Sequence, residues 1–203
     1  LSTQGARVVA SDLSAGMLGQ ARTVDRDRRL TPPPLVQCDG AALPFADAAF
    51  DVVFTAYGVF PFVADSAGAL RECARVLRPG GRLAAVWNQL DTAVPWVHRL
   101  TRIMHAGDVH AARPEQRRFA APFGAEEHAR WAWTQPMTAA GLHGLMASRS
   151  YWLRADERIR SRMTANLDWY LHEHLGHAAD AVLQVPYVTV AWWAAPVRGG
   201  RPR

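Results

Sequence analysis

Short apolar runs that do not alternate constrain this chain more than any other feature. "ARVVAS" (6–11), "LVQCD" (35–39) and "FDVVFTAYGVF" (50–60) are each nearly continuous in apolar residues. A strand with one wet face alternates apolar and polar residues, whereas a strand covered on both faces does not. Such strands belong to a parallel sheet with helices packed on either side. The segments between them agree. After Asp12, "LSAGMLGQAR" offers Ser14 as an N-cap and puts Met17, Leu18 and Ala21 on one face. "DSAGALRECARVL" (65–77) carries Leu70, Cys73, Ala74 and Leu77 at helical spacing, with Asp65 as its cap. It ends at "RPGG", where Pro79 cannot continue a helix and two glycines turn the chain. "RLAAVW" (82–87) reads as a fourth strand. The order β-α-β-β-α-β predicts an α/β fold with a doubly wound, mostly parallel sheet and right-handed crossovers.

Past Trp87 the character changes. "PWVHRLTRIMHAG" predicts a helix opening at Pro95, with Val97, Leu100, Ile103 and Met104 on one side. A polar, Arg-rich stretch follows to about residue 124, and 91–128 as a whole is too long for a plain crossover and reads as a lid. "HARWAWTQ" (128–135) alternates, so a strand is expected there, closed by Pro136. Helices are expected over 138–148 and 156–175. "VPYVTVAWWA" (185–194) has no crossover helix after it and reads as an antiparallel last strand inserted beside 82–87. On this reading 1–194 form a single domain and 195–203 a disordered basic tail.

Composition removes several classes of function. All 23 basic residues are arginine and none is lysine, which excludes Schiff-base chemistry and a P-loop lysine. The net charge of +5 comes from scattered arginines, not from a stripe with interleaved aromatics, so no nucleic-acid partner is expected. The densest group, Arg154, Arg158, Arg160 and Arg162, reads as one solvated helix face. No apolar run reaches the roughly 18 residues of a membrane span, and no signal segment is visible, so a cytoplasmic protein without a membrane partner is expected. Cys38 and Cys73 sit in apolar runs and read as reduced core thiols.

The mouth of the second run, "QCDGAALPFADAAFDVVF" (37–54), poses a chemical question: a carboxylate and a glycine close a strand that looks buried, and such a carboxylate needs a partner. The segments "VVASDLSAGMLGQAR", "CDGAALPFADAAFDVVFTAYGVF", "ECARVLRPGGRLAAVWN" and "VPYVTVAWW", in that order, resemble a class I S-adenosylmethionine-dependent methyltransferase of the small-molecule type 11 group, which has a Rossmann-like fold. The resemblance implies S-adenosyl-L-methionine as cofactor and a small-molecule substrate. It implies that Asp12 accepts from both ribose hydroxyls, since a carboxylate's two oxygens suit a vicinal diol. It further implies that Leu13 packs on adenine, that Asp39 accepts from the adenine amino group, and that the N–H of Gly40 or Ala41 meets a ring nitrogen. The turn at Ala56 and Tyr57 would lie near the methyl donor. All of these positions follow strand ends, where open α/β sheets bind ligands.

One departure from the family pattern is large. The glycine-rich loop that holds the cofactor's methionine end precedes the strand ending at Asp12, and the sequence shows neither that loop nor the strand before it. A fragment or a degenerate copy is expected, with a gap at the sheet centre. Other sites are less defined. His98, on the helix after the fourth strand, is the candidate general base by position. His172, His174 and His177 lack the spacing of a metal-binding motif, so no metal is expected. Ser148, Arg149, Ser150 and Tyr151 either touch substrate or form a helix C-terminal turn. Trp96, Trp131 and Trp133 line either a core or a pocket wall. The competing readings are a nicotinamide-dependent oxidoreductase, since Asp12 after a strand also suits that fold, and a non-catalytic methyltransferase-like remnant. The oligomeric state is not legible.

Overall fold

The computed structural model describes residues 4–27, 33–56, 65–105 and 119–197. The chain forms two compact units. One comprises Leu1–Ala85, Phe119–Glu127 and Trp193–Arg203; the other comprises Val86–Arg118 and His128–Trp192. No helix among the described residues is long and apolar enough to cross a membrane.

The first unit holds β1 (Ala10–Asp12), α1 (Ala15–Asp27), β2 (Leu35–Gln37), β3 (Phe50–Ala56), α2 (Ser66–Val76) and the start of β4 (Leu77–Leu90). β1 and β2 pair in parallel, Ala10 with Leu35 and Asp12 with Gln37, and form a sheet of their own. β3 begins a second sheet, of order β3-β4-β6-β5. Among the described residues β1–β2 and β3-β4-β6-β5 are therefore separate sheets. The exposure of the first runs departs from expectation. Val52 is 55% and Phe54 49% exposed, and Val9 and Leu13 are also open. Continuous apolar strands predict cover on both faces, but a strand at the end of its sheet lacks the neighbour that would carry that cover.

α2 is amphipathic as its spacing requires. Leu70, Cys73 and Leu77 pack with Leu83, Phe123 and Ala194. Asp65 caps the helix by accepting from the Gly68 N–H at 2.7 Å. A Cβ at Gly68 would crowd the Asp65 carboxylate, so a larger residue there would displace the capping side chain. The helix stops at Val76, before Pro79, and β4 starts at Leu77 instead of at Arg82. Gly80, at φ +83°, supplies the left-handed residue, and a Cβ at Gly81 would stand 2.9 Å from Asp51 O. Residues 195–197 are not a loose tail: Val197 N–H donates to Pro122 O and Pro196 bridges Phe123. The rest of the expected tail, 198–203, lies outside the described residues.

The second unit contains α3 (Pro95–Ile103), most of β5 (Glu127–Met137), α4 (Ala139–Ala147), α5 (Ser150–Arg154), α6 (Glu157–Asp168), a π-helical turn at Trp169–His174 and most of β6 (Leu183–Ala194). Its core joins Val97 and Leu100 of α3 and Met104 just after it to Leu142 and Met146 of α4 and to Met163 and Leu167 of α6. β6 lies beside β4 as expected. Asp91 N–H donates to Pro186 O, and Thr189 Oγ1 donates to Asn88 Oδ1. Residue numbers rise along one strand as they fall along the other, so the pair is antiparallel.

Three local expectations change here. Trp131 is 53% exposed on β5, so it is not part of a core. Trp133 donates from Nε1 to Thr189 Oγ1 and stacks on Tyr187. Trp96 alone of the three packs against the core. Ser148 ends α4 with its hydroxyl on Leu145 O, the helix-terminal alternative, and α5 follows directly. The four clustered arginines do not share one helix: Arg154 closes α5, and Arg160 of α6 turns back onto the Trp152 ring and onto Trp152 O and Leu153 O. The single helix face expected of them is not formed because Ala155 and Asp156 break the helix, Asp156 capping α6 through Ile159 N–H.

Candidate functional site

The carboxyl ends of β1 and β2 are held side by side by their own chemistry. Cys38 N–H donates to Asp12 O, and Gln37 Nε2 donates to Leu13 O at 3.1 Å. Two residues past Gln37, Asp39 therefore emerges at the same strand ends as Asp12, and both acids are exposed. Each carboxylate is half engaged. Asp12 Oδ1 accepts from Ser14 N–H at 2.7 Å, and Ser14 Oγ in turn accepts from Met17 N–H, which makes Ser14 the α1 cap. Asp39 Oδ1 accepts from Ala41 N–H at 2.9 Å, closing a small turn that Ala42 N–H to Asp39 O completes. In both acids the second oxygen has no hydrogen bond among the described residues.

This geometry bears on one expectation. The Ala41 N–H is already committed to Asp39, so of the two backbone donors named from sequence, Gly40 is the one without a protein partner among the described residues. Leu13 is 68% exposed beside Asp12, an apolar side chain next to an uncommitted carboxylate oxygen. Ala56 ends β3, and Tyr57 lies outside the described residues.

The loop after Asp39 is held by a clamp that the sequence does not announce. Arg75 of α2 donates to Leu43 O, Phe45 O and the Asp47 carboxylate, while Glu72 accepts from Leu43 N–H and is paired with Arg75. The Arg75 hydrogen bond draws the Glu72 carboxyl below its ordinary range, more than partial burial raises it. Hydrogen bonds to Glu72 and Asp47 in turn raise the Arg75 guanidinium. A Glu and an Arg three apart in "ECAR" signal a helix-surface pair; their reach of some thirty residues back to the loop carries no local signal. Next to them, burial pushes the Cys73 thiol up to about 11, and Cys38 is half-buried; both are free thiols.

The remaining sequence candidates belong to the second unit. His98 is exposed on α3 and lines a cleft of 670 Å³ with arginines of α3 and α6. His172 is bonded through Nδ1 to His177 O, and His174 stacks on Trp169 and Tyr170. Among the described residues no three His, Cys, Asp or Glu stand close enough to hold a metal ion.

The family profile described as a methyltransferase domain matches residues 1–85, the stretch that carries Asp12 and Asp39. Similarity extends well beyond it. An uncharacterised methyltransferase of Mycobacterium bovis is 35% identical over 196 residues, covering 94% of this chain and 74% of its own length. A demethylmenaquinone methyltransferase of Corynebacterium kroppenstedtii is 48% identical over 85 residues, 41% of this chain and 33% of its own. Among solved structures, a protein of Anaeromyxobacter dehalogenans assigned as a type II methyltransferase superposes with a TM-score of 0.62 at 20% identity, covering 94% of this chain and 80% of that one. The parallel β1–β2 pairing and the antiparallel β6 beside β4 match the mostly parallel sheet with an antiparallel last strand expected from sequence. With a relative of this identity spanning nearly its whole length, the chain belongs to the class I S-adenosylmethionine-dependent methyltransferases.

Proposed function

We propose that the protein transfers a methyl group from S-adenosyl-L-methionine to a small organic acceptor. The observation that carries this reading is the pair of exposed carboxylates at the ends of neighbouring parallel strands, each with one oxygen uncommitted. A ribose diol offers two donors, and Asp12 retains an acceptor for them while its other oxygen accepts from Ser14 N–H. Leu13 offers an apolar surface for the adenine ring. Asp39 accepts from the adenine amino group, with Gly40 N–H beside it as donor. Ala56 and Tyr57 are assigned to the methyl-donor end on the family resemblance. The described residues thus suit the nucleoside half of the cofactor.

When bound, the cofactor supplies an electrophilic methyl carbon on a sulfonium. The chain's part is to align donor and acceptor and to exclude water, since an in-line displacement gains most from positioning. The family match sets aside the nicotinamide-dependent alternative, which shared only the acid after a strand. Calorimetry with S-adenosylhomocysteine tests the reading. We expect saturable binding with no response to NAD, and Asp12→Ala weakening it by about 1–3 kcal/mol, the range for donors left without their acceptor. Asp12→Asn separates the two roles of this residue: the amide oxygen can still accept from Ser14 N–H but no longer offers two acceptors to a diol. Full affinity in both variants would reduce Asp12 to a helix-terminal acceptor.

A further inference from the structure

Beyond the nucleoside site, the second unit contains a cleft with an unusual charge lining. α3 and α6 pack through their apolar faces, and beside that seam lies a cavity of 670 Å³. α3 turns His98, Arg99 and Arg102 toward it, and α6 turns Arg162 and Asn166. His105, just beyond α3 at φ +45°, also reaches the cleft and is stacked on the Tyr151 ring at 4.2 Å. Among the described residues, none that lines the cleft is acidic.

The absence of a carboxylate is built into the two helices. α3, "PWVHRLTRI", contains no acid, and α6 carries acids only at its ends, Glu157 and Asp168. Asp168 is already paired with His143 at 2.7 Å. Elsewhere among the described residues arginines meet carboxylates: Arg71 with Asp65, Arg75 with Asp47 and Glu72, Arg78 with Asp51, Arg82 with Glu127, Arg130 with Asp91. Arg99, Arg102 and Arg162 have no ion pair or hydrogen bond of their own among these residues. Arg99 is nevertheless held in place, its guanidinium 5.5 Å from the Trp169 ring centre and 5.4 Å from that of Tyr170. Tyr170 is itself anchored by its hydroxyl on Trp96 O. A guanidinium lying over ring faces still has its N–H edge free for a planar anion.

We propose that this cleft binds an organic phosphate or carboxylate, with its anionic oxygens on Arg99, Arg102 and Arg162 and its apolar part against Ile103 and Met163. Like charges three and four apart on a helix repel, and an anion bridging α3 and α6 relieves that repulsion. The cavity is far larger than a bare phosphate needs, and its apolar floor suits a ligand with a carbon body.

The test titrates the full chain with phenyl phosphate, benzoate and benzyl alcohol by calorimetry. Saturable binding of an anion tighter than roughly 1 mM is expected, with no response to the neutral alcohol. The stronger of the two anions identifies the head group. The double substitution Arg102→Gln with Arg162→Gln should weaken that binding by about tenfold or more, the loss of charge-assisted hydrogen bonds. Arg22→Gln, a control on α1, should leave it unchanged. Because both cleft guanidiniums are exposed, the double variant should melt as the parent does; Arg102→Gln alone carries the test if it does not. Failure to saturate, an equal loss in the Arg22 control, or full affinity in the cleft variants would each overturn the proposal.

Discussion

At the scale of single residues, the Glu72–Arg75 pair shows how a surface helix can shape a ligand loop. The clamp holds residues 43–47, which follow directly on the Asp39 turn. Because Arg75 lowers the folded-state pKa of Glu72 below its ordinary 4.5, the pair stabilises the fold fully above about that pH. The contribution is lost as pH falls through the lower, folded value. Glu72→Gln should therefore melt below the parent at pH 7, and the gap should close on acidification below 4.5. Melting curves at stepped pH read this directly; a gap that stays constant into the acid range would mean that the charge of Glu72 is not what holds the loop. The sign follows from the carboxylate being stabilised in the folded state, whereas the buried Cys73 thiol is shifted the other way, toward its neutral form.

At the scale of elements, β3 is the informative case. The run "FDVVFTA" reads as a strand covered on both faces, and the strand itself forms at Phe50–Ala56. Yet Val52 and Phe54 face outward, and Val53 turns toward the core of the first unit. An apolar strand at the end of a sheet is a template for pairing with another chain. Val52→Thr with Phe54→Thr should change stability by less than about 1 kcal/mol, as exposed substitutions do, while lowering light scattering on heating. A fall of several kcal/mol in chemical denaturation would show that something covers this face in solution. α2, by contrast, obeys its sequence closely, because its cap and its apolar stripe are local features. The sequence boundary at Asp65 and the observed start at Ser66 differ only by the cap.

At the scale of the whole molecule, the described residues gather into two cores. One gathers Leu77 and Leu83 with Phe123 and Ala194; the other gathers Leu100, Met104, Leu142 and Leu167. Leu83 and Leu100 are each fully buried, so Leu83→Ala and Leu100→Ala should each cost about 2–5 kcal/mol in denaturant unfolding. A cost below about 1 kcal/mol at either site would mean that its core is not packed as described. The sequence led us to expect a single domain over 1–194, whereas the described residues form two compact units, each with its own core. Sequence patterning marks the residues of each, since helical spacing names Val97, Leu100 and Met104 as readily as Leu70 and Cys73. Spacing within an element says nothing about which distant element fills the opposite side, so the division between cores was not legible.

What the sequence determined by itself were features written in neighbouring residues. The helix caps at Ser14 and Asp65, the strand runs, the acids after β1 and β2, and the late antiparallel strand all follow from side-chain geometry within a few residues. The resemblance carried by those segments led to the family. Tertiary structure alone decided three things. It committed Ala41 N–H to Asp39 and left Gly40 N–H without a partner among the described residues; it tied Arg75 to a loop thirty residues earlier; and it gathered His98, Arg99, Arg102 and Arg162 around one cleft. Each depends on how the backbone folds back on itself or on chain segments meeting from far apart, and the hydrogen-bond partner or charge neighbour that results is a property of packing, not of local pattern.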